Sequence, residues 1–168
     1  MKAYLDNNIV CSIVRDDNPS QSAALSVLLE GHEQGKVSLV TSEITLEEIR
    51  RCPPEYRPPL ERTFRLLAKV PVAAPQSLLY ITHTYGQYGT STNSPVFKND
   101  QLFESLLALG LEEVDAKHIL SAAKEACGFF LTCDNSRGTS ILRSSQEIEK
   151  LCGVHVQRPS EFVAGQGW

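Results

Sequence analysis

Two short apolar runs, each closing on an aspartate, constrain this chain more than any other feature. Ala3-Tyr4-Leu5 ends at Asp6, and Phe129-Phe130-Leu131-Thr132-Cys133 ends at Asp134. Such runs read as buried strands, and the stretches between them carry helical periodicity. From Ser20, the apolar positions Ala23, Ala24, Val27 and Leu28 have the i, i+4 spacing of an amphipathic helix, expected to end at Gly31 and Gly35. Residues 37–40 read as a second strand. Thr41-Ser42 offers an N-cap, and Thr45 with Glu48 three residues on fits a capping box, predicting a helix over 44–51 that Pro53-Pro54 stops. Further helices are expected over 60–68, 114–127 and 144–151. Short strands are expected at Val70-Pro71-Val72, at a sheet edge because of its proline, and at Val154-His155-Val156, with a capped closing turn over 159–163. Strands alternating with helices predict an α/β fold: a three-layer α/β/α sandwich around a mainly parallel sheet of four to five strands.

The 168 residues suit one compact domain. Residues 86–101 lack apolar periodicity and are rich in turn formers, so a loop-rich insertion is expected around 76–110. No apolar run approaches the roughly 18 residues that would span a bilayer, and the first residues carry no signal-peptide pattern, so a cytoplasmic location is expected. Five scattered cysteines form no CxxC pair and indicate neither a disulfide framework nor a zinc knuckle. A net charge of −4 excludes a broad basic nucleic-acid surface, leaving phosphate contacts to a few arginines such as Arg50, Arg51 and Arg137.

Four acids stand where an open parallel sheet would gather them: Asp6 and Asp134 at strand ends, Glu48 and Asp115 on helices. Ligands of such sheets bind outside the carboxyl ends of the strands, where strand order reverses. Carboxylates crowded there repel, and a hard cation with oxygen ligands, Mg²⁺ or Mn²⁺, is the natural compensation. Each acid also has a plainer reading. Asp6 could cap the next helix, Asp115 could complement a helix dipole, Asp134 could serve a turn, and Glu48 could close its capping box or yield its place to Glu47. His118, one turn after Asp115, reads as a packed or solvated side chain rather than a base.

The four acidic pieces, in this order, resemble a PIN domain, the nuclease fold of VapC-type toxins. Tyr4-Leu5-Asp6-Asn7-Asn8 resembles the opening strand and first acid, and Thr45 to Arg51 the second motif. Asp115-Ala116 leading into Ala122-Ala123 and Ala126 resembles the third, and Leu131-Thr132-Cys133-Asp134 the fourth. The resemblance implies a metal-dependent endoribonuclease using Mg²⁺ or Mn²⁺. Asp6, Asp115 and Asp134 would be ligands, Glu48 would complete the cluster, and Asn8, Thr132 and Asn135 would orient the carboxylates. It also implies an RNA substrate, a homodimer, no membrane association and, for a member of the toxin branch, an antitoxin partner. The alternative is a non-catalytic PIN-like module that binds a protein or RNA. A haloacid-dehalogenase-like phosphatase would place a second aspartate two positions after the first, where this chain has Asn8.

Overall fold

A computed structural model of the chain describes residues 1–15, 19–67, 100–134 and 141–168. The described residues form a four-stranded, all-parallel sheet in the order β2-β1-β3-β4, with β1 at Lys2–Leu5, β2 at Ser38–Val40, β3 at Phe129–Leu131 and β4 at His155–Gln157. Register is set by pairs such as Ala3 with Leu39 and Tyr4 with Phe130. Successive side chains leave a strand on opposite faces, so this sheet builds two cores. Tyr4, Val40, Phe130 and Val156 join one, and Ala3, Leu5, Leu39 and Leu131 the other. Fully buried Tyr4 and Phe130 stack with ring centroids 5.4 Å apart. Each such burial contributes about 2–3 kcal/mol.

Helices cover both faces, as expected of a three-layer sandwich. Helices α1 (Asn7–Arg15), α2 (Pro19–Glu33) and α4 (Arg57–Leu67) pack on the Leu5 face, together with α8 (Pro159–Gln166). On the Tyr4 face lie α5 (Gln101–Ala108), α6 (Glu113–Lys124) and α7 (Ser145–Cys152), the last preceded by a 3₁₀ turn at Ile141–Ser144. Helix α3 (Glu43–Arg51) straddles the two, giving Ile44 to one core and Ile49 to the other.

Several expectations need adjusting. Helix α2 does not stop at Gly31. A Cβ there would meet the Trp168 ring at 2.8 Å, so the glycine serves close packing. The stop comes at Gly35, in the left-handed region at φ 72°, where the amides of Gly35 and Lys36 bond back to the carbonyls of His32 and Gly31. Helix α4 starts three residues earlier than expected, because Pro58 and Pro59 fall in its first turn, where no amide donor is needed. The loop-rich reading around 76–110 fails at its end: Asp100 caps α5 by accepting from the amides of Leu102 and Phe103, and Phe103 and Leu106 are buried. The strand expected at Val70-Pro71-Val72 and the rest of that insertion lie outside the described residues. Among the described residues, no helix is long and apolar enough to cross a membrane.

Candidate functional site

In this strand order the chain leaves β1 for β2 on one side and later returns to β3 on the other, so the order reverses between β1 and β3. Asp6 follows β1 directly, and its amide donates to the Leu131 carbonyl at 3.1 Å, carrying the ladder one step past the strand. Thr132 follows β3. Its hydroxyl donates to Asp6 Oδ2 at 2.7 Å and accepts from the backbone amide of Asp134 at 3.0 Å, linking Asp6 to Asp134, which lies three residues past β3 rather than closing it. The Asn8 amide donates to the same Asp6 oxygen at 3.1 Å, and the Asn7 backbone amide to Oδ1 at 2.7 Å. Asp6 thus accepts from the first amide of α1 and also enters the acidic group. The Asn7 side-chain oxygen is buried without a hydrogen-bond partner in the structure.

The two helical acids arrive from different helices, α3 and α6. Asp115 sits in the first turn of α6, and its carboxyl is pushed up to about 7. Burial is the main cause, followed by the charge of Asp6; His118 opposes the rise, while Glu112 and Asp134 add to it. Burial also raises Asp6, against the pull of His118, Thr132 and Asn8. Glu48 reaches in from α3, its Oε2 2.8 Å from His118 Nε2. The capping-box reading of Glu48 fails: the N-cap is Ser42, which makes no side-chain cap bond, and Thr45 lies inside the helix with its hydroxyl 3.3 Å from that of Thr41. Glu47 pairs with Arg50 on the surface instead.

His118 is packed, as one reading of the sequence had it, but its place among the acids is what that reading missed. It is 1% exposed, one turn along α6 from Asp115 and therefore on the same helix face. Its Nε2 meets Glu48 and lies 4.0 Å from Asp6 Oδ1, and its Nδ1 is 2.8 Å from the Tyr4 hydroxyl. Tyr4 donates its one proton to the Ser42 hydroxyl, leaving its oxygen to accept from Nδ1. Both ring nitrogens then face acceptors, the pattern of an imidazolium. Burial alone would lower the histidine pKa, but the hydrogen bond and charge of Glu48, with Asp6 and Asp115 behind it, raise it overall. The signal in the sequence was the three-residue step from Asp115, which places both side chains over one patch.

Of the other expected residues, Asn8 and Thr132 touch Asp6 as described, while Asn135 and Arg137 lie outside the described residues. Arg50 and Arg51 are exposed on α3. Arg50 stands roughly 200° around the helix from Glu48, whereas Arg51, three residues on, shares its face. None of the five cysteines forms a disulfide. A cavity of about 290 Å³ lined by Val27, Glu30, Gly31, Gln34, Lys36 and Trp168 includes none of the four acids.

The donor chemistry suits a hard divalent cation: oxygen ligands, desolvated and crowded until one carboxyl is held near pKa 7. The ligand geometry is not closed. Among the described residues, no three histidine, cysteine, aspartate or glutamate side chains are arranged to hold a metal ion as they stand. Compared with family models, curated proteins and solved structures, the chain matches none.

Proposed function

We propose that the chain is a metal-dependent endoribonuclease of PIN-like type that hydrolyses RNA phosphodiester bonds at the acidic site between β1 and β3. One observation carries this reading: Asp6, Glu48, Asp115 and Asp134 come from four separate segments to one switch point, where burial first and the charge of Asp6 second raise Asp115 to about 7. A fold selected for stability alone would not bury the Asp115 carboxyl beside the charge of Asp6. A binding module would have no use for the repulsion.

Asp6, held at the end of β1 by Thr132, and Asp134, three residues past β3 with its backbone amide bonded to Thr132, would hold Mg²⁺ or Mn²⁺ with Asp115, and Glu48 would complete the set; these side chains must draw closer than they stand to do so. The bound cation would lower the pKa of a water and offset charge on the phosphate. The protein's own part is orientation. Thr132 and Asn8 fix the Asp6 carboxylate, burial thins the water around it, and Asp115, its pKa raised to about 7, would release its proton to solvent on holding the cation. The toxin-antitoxin setting and the homodimer belong to this proposal through the PIN resemblance.

Cleavage of a labelled RNA pool with Mn²⁺ or Mg²⁺, beside EDTA, Asp6→Asn and Asp115→Asn controls, tests the reading. Metal-dependent cutting lost in every control supports it. Intact RNA throughout, with no metal-induced rise in melting temperature, sinks it in favour of the non-catalytic module.

A further inference from the structure

We propose that His118 is a positioning residue that holds the Glu48 carboxylate beside Asp6 through a hydrogen-bond chain anchored in the core. What Glu48 does there rests on the nuclease reading; how it is held does not. Glu48 leaves α3 on a flexible side chain that is 25% exposed, and such a side chain keeps much of its rotamer freedom unless something fixes it. Among the described residues, the hydrogen bond to its carboxylate comes from His118 Nε2 at 2.8 Å.

The imidazole is itself well fixed. It is buried, hydrogen-bonded to Tyr4 through Nδ1 at 2.8 Å, and set edge-on to the Tyr4 ring at 5.8 Å. Tyr4 is held in turn by its stack on Phe130, at 9° between planes, and by Ser42. Ser42 is the N-cap of α3, the helix that carries Glu48. The chain therefore closes a loop, from the start of α3 through β1 and α6 back to α3 one turn and a half further on. A histidine serving packing alone would have no reason to end this loop on a partly exposed acid. Nor would it sit 4.0 Å from Asp6 Oδ1, where it sets the spacing between two acids. Carboxylates that bind metals are normally held by such outer hydrogen bonds, and losing one weakens metal affinity or activity about 10- to 100-fold.

A double-mutant cycle on Mn²⁺ affinity, measured by calorimetry on the full chain, tests the proposal. His118→Leu should weaken binding about tenfold, and Glu48→Ala at least as much. The double variant should bind no more weakly than Glu48→Ala, because His118 acts through Glu48. Losses that add overturn the proposal. Should His118→Leu fail to fold, His118→Gln and Tyr4→Phe carry the test: the first keeps a donor for Glu48 and should stay within about threefold of wild type, whereas the second frees Nδ1 and should fall between. A second readout needs neither metal nor RNA. In ¹H–¹⁵N spectra of the metal-free protein, the His118 Nε2 proton should resist exchange in wild type and lose that protection in Glu48→Ala. Free exchange in wild type overturns the positioning role whatever the chain does to RNA. Protection in a chain that neither binds Mn²⁺ nor cuts RNA upholds the positioning role and sinks the nuclease reading.

Discussion

The two ends of β1 treat charge in opposite ways. At its start, Lys2 donates to the Glu125 carboxylate at 2.9 Å and to the Glu125 carbonyl at 2.7 Å, a matched pair at the far end of α6. At its close, four residues on, Asp6 enters a group of acids in which burial and like charge raise one carboxyl to about 7. The same strand and the same helix thus run from a neutralised end to a frustrated one. Local conflict of this kind is tolerated where function requires it and offset elsewhere in the fold. The stable end is where the chain is stitched; the strained end is where chemistry is expected.

Substitutions should separate the two ends sharply. Asp115→Asn should lower RNA cleavage about a thousandfold, corresponding to about 4 kcal/mol of lost transition-state stabilisation, with folding intact by circular dichroism. Cleavage that survives the change would remove the acidic end from the mechanism. Lys2→Met should do the reverse. It removes the Lys2 ion pair from the Glu125 side chain, which is 8% exposed, and should cost about 1–3 kcal/mol in urea unfolding while cleavage stays within about twofold. Activity lost with Lys2 would mean the two ends are coupled through β1, and the contrast would fail.

Much of this was legible in the sequence. The strands around Tyr4 and Phe130 and helix α6 announced themselves because burial writes itself as apolar runs and 3.6-residue periods. Asp6, at the end of β1, followed, since a residue that ends a parallel strand must lie on the ligand edge of the sheet. Helix α5 was hidden because it opens directly after a stretch rich in turn formers, and its stability comes from Phe103 and Leu106 docking against α6 and α7, a tertiary effect. His118 was hidden for another reason. Sequence spacing put it on the Asp115 face, but only the strand order brings Tyr4 and Glu48 to its two nitrogens, across separations of 114 and 70 residues.

The strained end should also show itself in the pH dependence of stability. Asp115 titrates near 4 in the unfolded chain and about 7 in the folded one, so between those values the folded state binds more protons. Stability of the metal-free protein should therefore fall as pH rises from about 4 to about 7. The raised His118 acts in the same direction, its contribution being lost as pH climbs through its folded value. Asp115→Asn should stabilise the metal-free protein by about 1–2 kcal/mol at pH 8, well below the full shift because solvent screens this half-buried carboxyl. A Tm flat across pH 5–8 would contradict the crowding. The quiet end has a smaller flaw of its own: Ala126, just past α6, takes φ 52°, where its amide and that of Cys127 bond back to the carbonyls of Ala123 and Ala122. Ala126→Gly should raise stability by about 0.5–1 kcal/mol by thermal melting, without touching cleavage. A loss of stability would show that the left-handed turn carries no penalty.

The smallest effect tests which face of α3 meets the substrate. Arg50 pairs with Glu47 in a largely exposed i, i+3 contact, and such pairs contribute less than about 0.5 kcal/mol. Arg50 also points away from Glu48, whereas Arg51 shares the Glu48 face. If RNA lies across the acids, Arg51→Ala should weaken RNA binding a few-fold and reduce the magnitude of its salt slope by about one phosphate contact, while Arg50→Ala changes neither. Equal effects at both positions would mean that RNA senses only net charge on this helix. An effect at Arg50 alone would move the RNA path to the other side of α3, away from the hydrogen-bonded face where His118 holds Glu48.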